Sequence, residues 1–185
     1  MVEAKAEGPH PETRQVLLEA AIRCVAENGL SKLTYRSLAA QAGVTHGAVQ
    51  HHFGTIDAVL EQALQYSLEQ SLVTLEPAGS PEAWFASMFD LAEKRPSLLM
   101  FQYELILESK RRPRLVPHVS RLYAMYRDAT RRALNAFGLS DEAVAEAVLA
   151  AVDGIIYQLV TLEEGQLVHT RRAIQGLKSL LAANL

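Results

Sequence analysis

The chain has 185 residues, of which 49% are hydrophobic and 21% charged, and its formal net charge is −3. This composition excludes a disordered chain, which would have few apolar residues and a large net charge. The single cysteine excludes a disulfide framework and a cysteine-based zinc site. The acidic balance excludes a uniformly basic coat for nucleic acid, but it is compatible with a local basic face.

Two stretches bear on where the protein works. Residues Met1–Pro11 are polar and lack an apolar core, so they do not predict a secretory signal. The most apolar long stretch, Val144–Leu162, is interrupted by Glu146 and Asp153. A carboxylate at the centre of a bilayer costs about 2.5–3.5 kcal/mol, so this stretch is interpreted as a buried helix. We expect a cytoplasmic protein with no membrane partner.

Helical periodicity runs through almost the whole chain, and no segment shows the sustained alternation of a strand. Capping residues, glycines and prolines divide the chain into nine predicted helices, so the predicted fold class is all-α. In chain order these helices run from about Pro11 to Asn28, from Thr34 to Gly43, from Thr45 to about Phe53, from Thr55 to Pro77, from Ser80 to just before Pro96, from Pro96 to about Arg111, from beyond Pro113 and Pro117 to Gly138, from Ser140 to about Glu163, and from about Thr170 to Ala183.

The most informative segment is Thr34–Phe53, which reads TYRSLAAQAGVTHGAVQHHF. Two short capped helices meet at Gly43, at the spacing of a helix-turn-helix. Ala39 is small, so the second helix can cross closely over the first. Gly43 can adopt the positive φ that a sharp turn requires. Val44 and Val49 fill the small core beneath the turn.

The second helix of this pair presents a polar outer face. Its side chains and exposed backbone can donate to or accept from base edges in a major groove, and they belong to Thr45, His46, Gly47, Gln50 and His51. No Asp or Glu occurs between Asn28 and Ile56, although the chain as a whole is acidic. An acid-free stretch over this motif is what a phosphate-facing surface requires.

Residues from about 13 to 64 resemble the N-terminal domain of TetR-family transcriptional regulators. The matching segments are AAIRCVAENG, LTYRSLAAQAGVTHGAV, the HHF triplet, and Leu60 in the following helix. The resemblance implies an all-helical homodimeric repressor that binds a DNA operator and whose larger C-terminal domain holds an inducer. It also implies that Thr34, Tyr35 and Arg36 meet phosphates, while the residues from Thr45 to His52 enter the major groove.

Two positions depart from the pattern of the family. The family usually has a tyrosine that touches DNA where Gln50 stands, and a lysine that meets a phosphate where Ile56 stands. We therefore expect weaker non-specific DNA affinity than in typical members, and the base readout of other members does not transfer to this chain.

Other functions have less support in the sequence. Six histidines are present, but none forms an i, i+4 pair and no HExxH motif occurs, so neither a metal site nor a cofactor is expected. No P-loop, GxGxxG or nucleophile elbow occurs, so we do not expect an enzyme. An enzyme would need a Ser or His with a strongly perturbed pKa in a cleft. A rival binding class is a helical adaptor that uses the same hairpin against a protein.

The basic run Lys110–Arg114 has two interpretations. It is either a second patch that contacts DNA or a solvated helix end, where cations favour the helix dipole.

Aromatic and methionine side chains crowd the predicted central helices. Most of them are expected in the core, but some suit an apolar pocket with a few polar groups. Glu104, near the middle of an otherwise apolar helix, needs a partner if it is buried, and that partner is an arginine or a ligand. We predict a pocket for a small-molecule inducer bounded by Trp84, Met88, Phe101, Glu104, Tyr126 and Tyr157.

The last two helices predict a homodimer interface. The Ser140–Glu163 helix is apolar on more than one face, so a single contact within the chain does not cover it. With the apolar side chains of the last helix it suits a four-helix interface, which Asp153 could bridge; those side chains are Ile174, Leu177, Leu180 and Leu181. The predicted organisation is a helix-turn-helix DNA-binding domain at residues 11–56 and a ligand-binding and dimerisation domain at residues 57–185.

Overall fold

A computed structural model of the chain describes residues 11–74 and 79–182. These residues form nine α-helices and three short 3₁₀ turns and contain no strand, so the predicted all-α fold is confirmed. The helices are α1 (Pro11–Asn28), α2 (Tyr35–Ala42), α3 (His46–Phe53), α4 (Ile56–Thr74), α5 (Pro81–Lys94), α6 (Pro96–Glu108), α7 (Val116–Ala136), α8 (Glu142–Thr161) and α9 (Val168–Ala182).

Thr45 and Ser80 cap the starts of α3 and α5, as the sequence predicts. The Thr45 side chain accepts the N–H of Ala48 at 3.2 Å at the start of α3, and the Ser80 side chain accepts the N–H of Ala83 at 3.3 Å at the start of α5. Each such bond satisfies one of the amide groups that a helix start leaves unpaired.

Several helix boundaries differ from the prediction by two or three residues. The helix α7 begins at Val116, so Pro117 lies in its first turn instead of preceding it. A proline is tolerated there because its missing N–H would have had no partner within the helix. The helix α6 ends at Glu108 instead of Arg111, and α9 begins at Val168, two residues earlier than predicted. The predicted helix ends at Pro77 and Ala183 lie outside the described residues.

The core continues from the N-terminal helices into the rest of the molecule. The helix α1 packs against α2, α4 and α6, and its Leu17 and Val25 are fully buried. The same apolar cluster includes Val49 of α3, Leu60 of α4 and Phe101 of α6. A second cluster joins α5, α7, α8 and α9. A movement of α4 or α6 would therefore displace side chains that pack against the helix-turn-helix. The predicted domain boundary at residues 56 and 57 coincides with the start of α4 and stays a prediction.

The corner between α2 and α3 is built around Gly43. Its φ is 68°, in the left-handed region that favours glycine. The N–H of Val44 donates to the carbonyl of Ala39 at 3.0 Å, which closes the end of α2. Of the four residues predicted for the core of the helix-turn-helix, Ala39 and Val49 are buried, Val44 is half-buried and Gly43 is exposed at the turn itself.

We predict that Gly43→Ala lowers the free energy of unfolding by about 1 kcal/mol, because a Cβ is disfavoured at this φ. Gly47→Ala is the matched control: Gly47 lies inside α3, and an added Cβ would meet no atom within 4 Å. That variant should be neutral or more stable by up to about 1 kcal/mol. Urea unfolding of both variants measures the difference, and equal stabilities would contradict this account of the corner.

Candidate DNA interface and internal cavity

The outer face of α3 is open to solvent. The structure leaves exposed the five predicted readout residues, which are Thr45, His46, Gly47, Gln50 and His51. The buried side of the same helix is held by Val49 and Phe53. The helix therefore has one face in the core and one polar face free to enter a groove.

The start of α2 lies beside this face. The ring of Tyr35 stacks on that of His46, with centroids 5.2 Å apart and planes 17° apart. The Tyr35 hydroxyl donates to the carbonyl of Gly54 at 2.7 Å and so links α2 to the end of α3. Its proton is therefore not available to a DNA phosphate. Thr34 caps α2, and both Thr34 and Arg36 are exposed.

His52 differs from the other predicted residues of this face. It is half-buried, and its Nδ1 is buried without a hydrogen-bond partner among the described residues. Its ring lies 6.3 Å from that of Phe53, at the inner side of α3. We therefore place His52 at the edge of the small core, behind the exposed His51.

A narrow cavity lies between the helices of the C-terminal part. The centre of a water-sized sphere can occupy about 50 Å³ of this space, which opens to solvent and is bounded mostly by apolar side chains from α5, α6, α7 and α8. The residues that line it are Met88, Leu91, Leu99, Gln102, Tyr103, Ile106, Leu122, Tyr123, Tyr126, Thr130, Leu149, Val152, Asp153 and Ile156.

Two of the six residues predicted for a pocket, Met88 and Tyr126, line this cavity. The other four do not. Trp84 and Phe101 are fully buried in different apolar clusters. Glu104 is half-buried and does not line the cavity, so it is not the carboxylate of this pocket as the sequence predicted. Tyr157 is 46% exposed and packs edge-on against Tyr103, outside the cavity lining.

The carboxylate of the cavity belongs to Asp153. The Tyr103 hydroxyl donates to Asp153 Oδ1 at 2.9 Å, so this aspartate is bonded within its own chain. Burial raises the pKa of Asp153 above its usual range, and the hydrogen bond from Tyr103 only partly opposes that rise. Burial, with the nearby Asp153 charge, also raises the pKa of Tyr103, which keeps this phenol protonated as the donor.

A buried amide links the cavity to α4. Gln102 is 3% exposed, and its Nε2 lies 3.2 Å from the hydroxyls of both Ser67 and Ser71 on α4. Its Oε1 accepts the hydroxyl of Tyr126 on α7 at 2.8 Å. Tyr126 lines the cavity, and burial raises its pKa to about 12. These hydrogen bonds join α4, α6 and α7. Because Gln102, Ser67 and Ser71 are buried, the loss of a partner there would leave a polar group unsatisfied.

Comparisons with known proteins agree with this architecture. Residues 17–63 match the model described as bacterial regulatory proteins of the tetR family. Residues 79–180, more than half of the chain, match a second model, the tetracyclin repressor-like C-terminal domain. The chain belongs to the TetR family. Its described helices include the N-terminal helix-turn-helix and the helical C-terminal domain that the two models describe.

Individual TetR-family relatives are moderately similar. The chain is 36% identical over 101 residues to the transcriptional regulator TtgR of Pseudomonas putida. The matched segment covers 55% of this chain and 46% of that protein. It is 30% identical over 93 residues to BetI of Serratia proteamaculans, 45% of this chain and 47% of that protein. The chain thus spans about half the length of the curated relatives that it matches.

Solved TetR-like structures cover nearly the whole chain. A transcriptional regulator from Rhodococcus sp. Rha1 has a TM-score of 0.73 and 27% identity, over 92% of this chain and 94% of that one. The multidrug binding protein EbrR, crystallised with imidazole, has a TM-score of 0.65 and 26% identity, over 92% and 96% of the two chains.

The two departures from the TetR pattern have structural correlates. Ile56 is half-buried and packs against the core that contains α1, so it replaces a phosphate-binding cation by an apolar contact. The basic run is largely paired: Arg111 and Arg112 bind Glu108, and Arg114 binds Asp57 at the start of α4. The pairing favours a solvated helix end over a second DNA patch. Among the described residues no group of three His, Cys, Asp or Glu is placed to hold a metal ion.

We predict that Asp153→Asn stabilises the protein at pH 7.5, because the amide keeps the Oδ1 acceptor for Tyr103 without a buried charge. The raised folded pKa means that Asp153 favours folding at low pH and loses that contribution as the pH rises. The gain of the variant should therefore shrink towards pH 4. The other titratable groups near this carboxyl are Tyr123 and Arg127 on α7 and Glu146 on α8.

Urea unfolding of wild type and variant at both pH values measures the effect. A variant that is less stable at pH 7.5, or a gain independent of pH, would contradict it.

Proposed function

We propose that this TetR-family chain is a ligand-responsive repressor that binds a pseudo-palindromic operator as a homodimer. The observation that carries the DNA-binding part is the exposed polar face of α3 within an acid-free segment. Phosphates repel carboxylates and attract cations, so the absence of Asp and Glu between Asn28 and Ile56 favours close approach of this face to a duplex. The neighbouring Arg36 is exposed and adds a positive charge.

The second copy would lie on α8. By length and composition alone this helix could cross a membrane, but it packs within the fold against α5, α7 and α9. Its outward side carries a stripe of mostly small side chains at helical spacing, all exposed: Ala143, Ala147, Ala150, Gly154 and Tyr157. Small residues let a helix of another copy approach closely, and a broad apolar face is otherwise costly in water.

The last helix contributes less to this face than the sequence predicted. Leu181 is buried, and Ile174 and Leu177 pack partly into the core of their own chain. We therefore assign most of the proposed interface to α8. Sedimentation that finds only monomers at micromolar concentration would contradict the assignment.

Ligand response would follow from the cavity and its link to α4. A molecule between α6, α7 and α8 would contact Tyr126, which bonds Gln102, which in turn bonds Ser67 and Ser71. The helix α4 leads directly from α3. If filling the cavity shifts α4, the distance between the two α3 helices of a dimer changes. The half-sites of an operator lie about 34–36 Å apart or a multiple of that distance, so the two helices would no longer match them.

The direct test is selection of duplexes from a random pool by the wild-type protein, followed by affinity measurements. We expect an inverted repeat. Gln50→Ala on α3 should weaken binding to the selected site by about tenfold or more, because one good base contact is worth about 1–3 kcal/mol. Gln41→Ala, at an exposed glutamine of α2, is the matched control and should leave affinity unchanged.

Three results would count against the proposal. Selection without any preferred sequence, or equal affinity of wild type and Gln50→Ala, would remove α3 as the reading helix. Retention on DNA that does not fall steeply with salt would favour the adaptor function instead.

A further inference from the structure

The cavity and an open surface groove share a wall at Asp153. Tyr123, Leu149 and Asp153 line both spaces, and the groove continues along Arg127 and Glu146. The carboxylate therefore stands where a molecule entering from the surface would pass into the apolar interior. Its position differs from that of a core residue with no access to solvent.

Among the described residues that line the cavity, Asp153 is the only charged one. No ion pair among the described residues includes it, and the Tyr103 hydroxyl is the only side chain that hydrogen-bonds to its carboxylate there, through Oδ1. Oδ2 is thus left without a protein partner in the described part of the chain. A half-buried carboxylate in apolar surroundings costs stability unless a positive charge or further donors compensate it.

Three phenol rings adjoin this carboxylate. Tyr103, Tyr123 and Tyr126 line the cavity from α6 and α7, and Tyr157 packs edge-on against Tyr103 with ring centroids 5.1 Å apart. The faces of aromatic rings attract cations, most strongly where water is excluded. The carboxylate and the rings therefore both favour a positively charged ligand. Apart from Gln102 and Thr130, the remaining wall is apolar.

We propose that the cavity binds an apolar aromatic cation, with Asp153 as its counter-ion and the three tyrosines against its rings and charge. The proposal rests on the proposed function, because it names the ligand class of that same cavity. An anion would face Asp153 with no cation in the lining to offset the repulsion. A neutral apolar molecule would bury the carboxylate further without compensating its charge.

The test uses three rod-shaped probes that differ mainly in charge: N-methyl-4-phenylpyridinium, its neutral isostere 4-methylbiphenyl, and biphenyl-4-carboxylate. Binding to the wild-type protein is measured at pH 8 by quenching of tryptophan and tyrosine fluorescence and by calorimetry. We expect the cation to bind at least about tenfold more tightly than the neutral isostere, and the anion most weakly. Asp153→Asn should abolish the preference for the cation while it still binds the neutral probe.

Glu104→Gln is the matched control. It removes one carboxylate from α6 that does not line the cavity, so the preference for the cation should be unchanged. A preference that survives Asp153→Asn, or equal affinities of the cation and the neutral probe, would overturn the proposal. Failure of all three probes to bind the wild-type protein would overturn it as well.

A second readout separates this inference from the proposed function. Each probe is added to the complex of protein and selected duplex. If the cation binds with the expected dependence on Asp153 but leaves DNA affinity unchanged, the ligand class stands and the ligand-responsive function fails. If the neutral probe binds as tightly as the cation and releases DNA, the cavity is the effector site and the ligand class is wrong.

Discussion

The buried amide of Gln102 is the constraint on which the relation between the two ends of this molecule depends. Apolar contacts are non-directional, but a buried hydrogen-bonded amide has few alternative partners and needs them in one geometry. Gln102 bonds Ser67 and Ser71 on one side and Tyr126 on the other. The register of α4 against α6 and α7 is therefore set by directional contacts at the wall of the cavity.

The same helix α4 is held at its other end by the C-terminal part. Arg114, just before α7, pairs with Asp57, and His118 of α7 lies 3.5 Å from Glu61. Both contacts are solvent-accessible and thus contribute little energy, on the order of 0–1 kcal/mol each. They still restrict how α4 can move, because a displacement at Ser67 and Ser71 must be absorbed by these pairs or passed to α3. The buried cluster is the stronger of the two attachments.

The fold could be predicted from the sequence because its signals are local. Thr34, Thr45 and Ser80 cap helices through atoms within three residues of themselves, and Gly43 closes α2 through its own backbone. The exposed face of α3 follows from the same local periodicity. Tyr35 was less predictable, because the Gly54 carbonyl that accepts its hydroxyl lies 19 residues further along the chain and is positioned by the packing of α2 on α3.

The polar residues of the cavity were predicted less well than the fold. Glu104 stands out as a charge in an apolar helix, but the buried side of α6 is the stripe Leu98, Phe101, Gln102 and Leu105, from which Glu104 is displaced. That i, i+3, i+4, i+7 spacing is a signal that would have selected Gln102. The pairing of Tyr103 with Asp153, 50 residues apart, has no local signal because tertiary packing alone brings α6 and α8 together.

The most direct test of the coupling between cavity and DNA fills the cavity with a side chain. Ile156 lines it, and Ile156→Trp would occupy the space, whereas Leu159→Trp, one turn further along α8, lies outside the lining and controls for added bulk. With folding verified by circular dichroism, affinity for the selected duplex is measured for both. We predict a loss of about tenfold or more for Ile156→Trp alone; equal DNA affinities of wild type and both variants would contradict a coupling between the cavity and α3.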